Sequence, residues 1–295
     1  MAVLPPVKLH AASTEHASAR CGTSQAYHHG SVEALSTRPS PIKALPALLV
    51  VVVALWEVCA TRRDAHSVPD DDAWERAAAT VRAGFQPGDL IVFAPAWADP
   101  IGRLHLGDLV TLDMAGRMDA ARYGRIWEVA IRGAHAPETG GLDAIADSET
   151  DGVTVRRFER TPVTVLADVR EATFQTDGRR PTLELAEVGF EPHRCLQITP
   201  EPGHPVRITF PQLKLGSELV GYVGLADVFT RRAIRTPGRL AVEIGGHVVA
   251  SAEPGVDDGW VRFAAPTTAG PADVTFIASA DAGDRLICFA AEARR

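Results

Sequence analysis

Polar and aromatic side chains follow two apolar segments of the chain, each of which is predicted to form a buried strand. The first segment is Leu90–Ala94 and the second is Arg125–Ile131. If these strands are parallel neighbours, the groups beyond their carboxyl ends converge on one rim, where α/β sheets collect ligands. The predicted rim residues are Trp97, Asp99, Arg103, His105, Asp108, Arg132 and His135.

This set of side chains favours carbohydrate as a ligand. A tryptophan ring stacks on the apolar face of a sugar, while neighbouring charged groups bind the sugar hydroxyls. The alternative is a structural loop in which Trp97 is a packing residue and the charged residues form surface ion pairs. A second candidate binding patch lies at the loop ends of the C-terminal region, and Asp227 and Trp260 are among its members. There the alternative is a turn next to a core tryptophan.

Catalytic signatures are missing from the sequence. It contains no HExxH, no paired CxxC and no DxDxDG spacing, so we expect no metal ion and no cofactor. It has no GxSxG elbow either. His193 stands two residues before Cys195, on the same face of a predicted strand, where burial is the usual outcome. We therefore predict no catalytic residue.

Charge is distributed unevenly along the 295 residues. The whole chain has a formal net charge of −7, and 46% of its residues are hydrophobic. Residues 1–63 hold six Lys or Arg and three Glu, so the remaining residues carry a net charge of −10. An acidic body excludes nucleic acid as a partner, because phosphate binding requires a basic surface.

One continuous apolar segment, Ala44–Trp56, has basic residues on both sides. Its length of about 13 residues is short for a membrane span, which needs roughly 20, but matches the core of an export signal. We predict a single hydrophobic helix over residues 44–60 that is a signal or an anchor. The protein would then be membrane-anchored and extracytoplasmic, or secreted if the segment is cleaved. A buried core element is the alternative.

Residues 1–43 precede this segment and are rich in Ser, Ala, His and Pro without an apolar period, which predicts a disordered lead. This lead is long for a signal sequence. A translation start nearer Val32 is an alternative explanation of its length.

Residues 67–175 are predicted to form a small three-layer α/β domain with parallel strands. A helix over Ala73–Ala83 presents Trp74, Ala77, Ala78 and Val81 on one face and precedes the first strand. A second helix over Leu112–Arg122 precedes the second strand, and weaker strands follow at 154–158 and 162–166. Helices that alternate with apolar strands are typical of this class.

Residues 180–295 are predicted to form a β-sandwich of the jelly-roll type. Strand-like segments recur between Gly/Pro turns at 194–199, 205–210, 219–225, 239–244, 247–251, 260–264, 273–279 and 285–291. Gly245-Gly246 is a hairpin signal. Cys195 and Cys288 lie in the first and last of these strands. A disulfide between them or two buried thiols are the alternatives.

Two family resemblances add to this interpretation. Residues 73–166, with the segments Trp74–Arg82, Pro87–Val92 and Arg125–Val129, resemble the soluble C-terminal tail of protein-mannosyltransferase-type glycosyltransferases. This resemblance implies a role in envelope glycosylation. The family's catalytic acidic loops lie among membrane spans that this chain lacks, so transferase activity does not carry over.

The second resemblance covers residues 180–295. The segments Leu219–Asp227, Leu240–Gly246 and Asp258–Phe263 are similar to galactose-binding-like jelly rolls, which commonly bind sugars. We therefore expect a non-catalytic protein that binds carbohydrate or assists envelope glycosylation proteins. An enzyme that uses the rim carboxylates is the alternative, either degenerate glycosyltransferase-related or glycoside-acting. A purely structural protein is a further one.

Overall fold

The computed structural model describes residues 41–66, 68–226, 235–281, 283 and 285–295. The first helix, α1 (Pro41–His66), contains the apolar segment. Its apolar side chains Leu48 to Val53, together with Leu55 and Trp56, are all exposed, and none lies in a core cluster. Within the described residues, no helix combines the length and the apolar character needed to cross a membrane.

The second helix, α2 (Asp71–Gly84), begins and ends as its sequence predicts. Asp70 caps its start by accepting a hydrogen bond from the Ala73 amide at 2.8 Å. The predicted apolar face is confirmed, because Trp74 and Val81 are buried together with the alanines between them. Gly84 ends the helix against Trp127, whose ring would lie 2.7 Å from a Cβ at this position.

A four-stranded sheet follows, with strands β1 (Leu90–Ala94), β2 (Arg125–Ile131), β3 (Ala144–Thr150) and β4 (Val153–Glu159) in the order β1-β2-β4-β3. Strands β1 and β2 are parallel, whereas β4 is antiparallel to both β2 and β3. The predicted parallel sheet is thus limited to one pair. Only Asp151 and Gly152 separate β3 from β4, and both have positive φ, so this tight turn allows only antiparallel pairing.

Each face of this sheet is covered by a different layer. Helix α2 and the next helix, α3 (Asp99–Leu106), pack on one face against Ile91, Phe93, Trp127 and Val129. On the other face, Leu90 and Ile126 contact the segment that contains Met114, Ala120 and Tyr123. Only Leu112–Ala115 (α4) of that segment is helical.

The predicted helix over 112–122 is therefore wrong beyond Ala115. Gly116 ends α4, and its carbonyl oxygen accepts a hydrogen bond from the Arg194 amide at 2.8 Å. A Cβ at Gly116 would lie 2.7 Å from the Leu185 side chain. Residues 116–124, here called the docking segment, thus give up helical hydrogen bonds for contacts with the C-terminal sandwich.

Eleven strands follow the four-stranded sheet among the described residues. They are β5 (Val165–Asp168), β6 (Gln175–Thr176), β7 (Thr182–Val188), β8 (Glu191–Ile198), β9 (Val206–Leu215), β10 (Glu218–Leu225), β11 (Gly238–Ile244), β12 (His247–Ala252), β13 (Val261–Pro266), β14 (Gly270–Ala280) and β15 (Ile287–Arg294). One sheet has the order β13-β10-β15-β8-β7, with β5 on β15, and the other has the order β12-β11-β14-β9-β6.

These two sheets form the predicted β-sandwich. The eight predicted strands correspond to β8–β15, and Gly245-Gly246, both at positive φ, form the turn between β11 and β12. Phe210, Phe276 and Phe289 lie at the centre of the core. Cys195 on β8 and Cys288 on β15 form a buried disulfide, with Cα atoms 5.6 Å apart.

A buried ion network joins the docking segment to the sandwich. Arg294 on β15 donates two hydrogen bonds of 2.9 Å to the Asp119 carboxylate and one of 2.9 Å to Glu292. Glu292 also lies 3.3 Å from Arg170, which makes a bidentate ion pair with Asp168. Burial raises the pKa of Glu292 against the opposing effect of Arg294, so this carboxylate is stable in its charged form only with its arginines in place.

We expect Arg294→Met to lower the free energy of unfolding by about 3–5 kcal/mol, because it leaves Glu292 as a buried charge short of a partner. Urea unfolding followed by tryptophan fluorescence measures the change. The matched control is Arg239→Met, which removes an exposed bidentate pair with Asp281 and should leave the midpoint close to that of the wild type. Equal effects of the two substitutions would contradict a central role for the buried network.

Candidate functional site

The carboxyl ends of β1 and β2 bring Trp97 and Arg132 together. The two strands are parallel and aligned in register up to Ala94 and Ala130. Trp97 lies in a short 3-10 turn directly after β1, and Arg132 directly follows β2. The Arg132 guanidinium carbon lies 5.7 Å from the centre of the Trp97 ring. Because Trp97 remains 57% exposed, ring surface is left for a ligand.

Arg132 has an unusual backbone conformation. Its φ is 57°, that of Gly133 is 68°, and the Ala134 amide donates to the Ile131 carbonyl at 3.1 Å. In a turn with two consecutive positive φ values, the first position as well as the second is usually Asn, Asp or Gly, because a Cβ collides with the backbone there. The chain therefore keeps an arginine at a position where its backbone is strained.

Helix α3 directly follows the turn that contains Trp97. Asp99 and Arg103 make an ion pair of 2.6 Å across one helical turn. Ile101 and Leu104 are exposed on the helix surface. A Cβ at Gly102 would lie 2.1 Å from the Phe93 ring, so only glycine allows α3 to lie this close to β1.

Two of the predicted rim residues belong to the contact between α2 and α3 instead. The His105 ring stacks on Trp74 with centres 6.3 Å apart, and its Nε2 atom lies 3.1 Å from an Asp71 oxygen. Asp108 accepts a hydrogen bond of 2.5 Å from Arg82. The sequence predicts both residues on the rim, whereas His105 near the end of α3 and Asp108 just after it contact α2.

His135 lies above a buried carboxylate that the sequence analysis missed. Its Nδ1 atom is 3.3 Å from Glu128, which has no solvent exposure. Glu128 accepts hydrogen bonds from the Ala136 amide at 2.7 Å, the Thr139 hydroxyl at 2.6 Å and Arg156 at 2.8 Å. The available signal was an acidic residue in the middle of the apolar strand β2.

This network anchors the loop that carries Arg132 at its start. A cavity of about 350 Å³ adjoins the network on its outer side. Its lining includes His135, Thr139, Asp147, Arg156 and Phe158. In the described part of the chain, no group of three or more His, Cys, Asp or Glu side chains is arranged to hold a metal ion.

The second predicted patch is only partly described. Asp227 lies outside the described residues. The Trp260 indole donates to the Glu191 carbonyl at 3.3 Å, and its ring lies 4.3 Å from that of His193. Burial lowers the pKa of His193. Trp260 also packs beside the disulfide, so these contacts belong to the six-stranded sheet and not to the edge with Trp97.

A larger cavity, of about 550 Å³, opens at one end of the sandwich. Residues 177–179 and 199–206 line most of it, with Asp177, Arg179, Glu201 and His204 as its charged or titratable members. None of these residues was a candidate from the sequence. They lie in connecting segments without a motif, so no pattern marked them.

Replacing Arg132 by glycine should stabilise the protein by roughly 0.5–1 kcal/mol, since relief of left-handed strain outweighs the greater entropy of the unfolded chain. Thermal unfolding measures the shift. Arg180→Gly is the matched control: Arg180 also lies over an aromatic ring, that of Phe174 at 5.0 Å, but has no positive φ. A lower midpoint for Arg132→Gly than for this control would show that Arg132 contributes packing and not strain.

No protein-family model matches the sequence, and comparison with curated proteins finds no match. Some solved structures are similar to part of the chain. One is CsCBM6-3 from Clostridium stercorarium in complex with cellobiose, with 12% identity over 44% of this chain and 95% of that one and a TM-score of 0.29. Another is the CBM22-1 xylan-binding domain of Xyn10C from Paenibacillus barcinonensis, with 13% identity, coverage of 46% and 99% and a TM-score of 0.29.

A third is the C-terminal CBM6 of LamC from Zobellia galactanivorans, with 12% identity, coverage of 41% and 99% and a TM-score of 0.27. These neighbours are carbohydrate-binding modules, and each alignment covers less than half of the present chain. The assignment of residues 180–295 to a β-sandwich rests on the two sheets of the chain itself. The resemblance of residues 73–166 to glycosyltransferase tails stays a prediction.

Proposed function

We propose that this chain is a non-catalytic carbohydrate-binding protein and that its sugar site is the carboxyl edge of β1 and β2. The observation that carries the proposal is the exposed Trp97 ring with the Arg132 guanidinium beside it. Such a ring offers a flat apolar surface to the C–H face of a pyranose. The five N–H donors of the guanidinium suit the oxygens at the edge of the same sugar.

The carboxylates at this edge support binding over hydrolysis. Glycoside hydrolysis needs two carboxylates that reach the substrate from opposite sides, roughly 5–10 Å apart. Asp99 is held by Arg103 at 2.6 Å, and Glu128 is fully buried among its hydrogen-bond donors. A sugar stacked on Trp97 would therefore lie near one carboxylate, that of Asp99, which is already paired with Arg103. The buried Glu128 would not supply a second one.

A second candidate function is docking onto another protein. Trp97, Ile101 and Leu104 are exposed at helical spacing along one side of the edge. An apolar stripe of this kind is also typical of a protein contact surface. The role in envelope glycosylation that residues 73–166 imply by resemblance belongs with this candidate and stays a prediction.

Trp97→Ala tests the sugar site. We expect it to weaken glycan binding by the full chain about tenfold or more, since burial of a large apolar side chain contributes roughly 1.5–3 kcal/mol. Isothermal titration with sugars that first stabilise the wild type in a thermal-shift screen measures the loss.

Leu104→Ala is the control, because it shortens the apolar stripe without touching the ring. Glycan binding should survive this change. If the wild type binds no glycan, or if Trp97→Ala binds glycans as tightly as the wild type, the proposed site is wrong. If a defined glycosylation protein binds the wild type, and if both variants bind it equally more weakly, the result would favour docking.

We also propose that the apolar segment in α1 places the protein at a membrane or directs its export. The continuous exposure of Leu48 to Val53 supports this, because such a surface is costly in water. Val51→Arg should move the protein to the soluble cytosolic fraction of cells, whereas Leu104→Arg, which adds the same charge elsewhere, should not. Recovery of the wild type in the cytosolic fraction would contradict the proposal.

A further inference from the structure

We infer that the edge with Trp97 selects sugars that carry a carboxylate, that is, uronic acids, and that Arg132 is the residue that selects them. This inference rests on the proposed function, because it specifies the ligand class of the same site. It goes beyond sugar binding in that it predicts discrimination between an acidic sugar and its neutral counterpart.

The first argument concerns the ion pairing of Arg132. Three other arginines of this half of the chain do have carboxylate partners: Arg103 pairs with Asp99, Arg156 with Glu128, and Arg82 with Asp108. Among the described residues, no carboxylate forms an ion pair with Arg132, and its guanidinium lies over the Trp97 ring. A cation that lies exposed beside an aromatic surface is available to a ligand's anion.

This positive charge, without an ion pair among the described residues, lies in a protein that is acidic overall. The residues after position 63 carry a net charge of −10, and many of the arginines among them form ion pairs with carboxylates. Around Trp97, Asp99 is neutralised by Arg103 at 2.6 Å and the buried Glu128 by Arg156 at 2.8 Å. The charge of Arg132 is therefore what remains at this edge, and it favours an anionic partner.

The backbone supplies an argument that is independent of charge. Arg132 keeps φ at 57°, where glycine or asparagine would be less strained. Strain of this kind persists where the surrounding structure imposes it, and it is concentrated at functional positions. Here the loop after Arg132 is anchored by Glu128 through the Ala136 amide and Thr139. The strained turn is thus held firmly, and it presents the guanidinium next to Trp97.

The geometry fits a carboxylate better than a phosphate. A uronic acid has one planar carboxylate at the edge of its ring, and a single guanidinium binds that group through two parallel hydrogen bonds. Phosphate and sulfate groups have three or more oxygens in a tetrahedral arrangement, and their sites usually gather several cations. With its ring face on Trp97, a uronic acid has its carboxylate at the periphery of the stack, within reach of a neighbouring arginine.

The experiment compares matched pairs of sugars by isothermal titration with the full chain. The probes are oligomers of galacturonic, glucuronic and mannuronic acid, each beside its carboxyl-reduced neutral form. A sulfated neutral oligomer is added to test for any anion. We expect the wild type to bind at least one acidic oligomer about tenfold or more tightly than its reduced form, which matches a charged hydrogen bond.

Arg132→Ala should remove this preference, so that the acidic oligomer and its neutral form bind with affinities within about twofold of each other, since both still stack on Trp97. Arg180→Ala is the matched control: it removes the similar contact over Phe174 and should keep the preference. Arg132→Lys should retain part of it, because the charge stays while the bidentate geometry is lost. Arg132→Asn tests the same loss in a residue that tolerates positive φ, in case Arg132→Ala unfolds.

The outcomes separate this inference from the proposed function. If neutral and acidic forms bind equally and Trp97→Ala abolishes both, the sugar site stands and selection by Arg132 is overturned. Preference for the sulfated oligomer over every uronic acid also overturns it, as does a preference that survives in Arg132→Ala and Arg132→Asn. If the wild type binds none of the oligomers, the inference and the sugar site both fail.

Discussion

The architecture depends on one buried cation. Arg294, near the end of the last strand, holds Asp119 of the docking segment with two hydrogen bonds and Glu292 of its own strand with a third. Two carboxylates and a guanidinium are stable inside a protein only when each satisfies the others. These hydrogen bonds fix the docking segment on the sandwich. Because Met114, Ala120 and Tyr123 in and beside this segment pack on the four-stranded sheet, the sheet is fixed as well. In this way the final strand constrains a sheet that lies more than a hundred residues earlier in the chain.

The packing of the four-stranded sheet determines the geometry of the edge with Trp97. Once the sheet is covered on both faces, β1 and β2 are held in register and their ends place Trp97 and Arg132 side by side. Two local features then remove the remaining freedom: Gly102 allows α3 to lie on Phe93, and Glu128 anchors the loop after β2. The proposed binding surface is thus built from the ends of rigid elements, which suits a site that recognises shape and charge without rearranging.

Much of this fold could be predicted from the sequence because its strands carry strong local signals. The eight strands from β8 to β15 alternate or run apolar between Gly and Pro turns, and the parallel pair follows from two short apolar runs. What could not be predicted depends on distant contacts. Residues 116–122 have a helical pattern, yet Arg194 and Leu185 draw them onto the sandwich. His105 and Asp108 look like rim residues until α3 turns them towards Trp74 and Arg82. Glu128 resembles a solvent-facing charge, and only the pairing of β2 with β4 shows its arginine partner.

The pairing of arginines with carboxylates makes the charge at the edge with Trp97 informative about function. Several arginines of this acidic protein form an ion pair with a carboxylate, among them Arg103, Arg156 and Arg294. Arg132 departs from this pattern both in its charge environment and in its backbone, and each departure has a cost that the fold does not recover through a described ion pair. Its neighbour Trp97 departs likewise, as a large aromatic ring left mostly in water. These two residues lie side by side, each lowers stability, and a hydrogen-bonded network holds them in place, which supports our proposal that a ligand completes this surface.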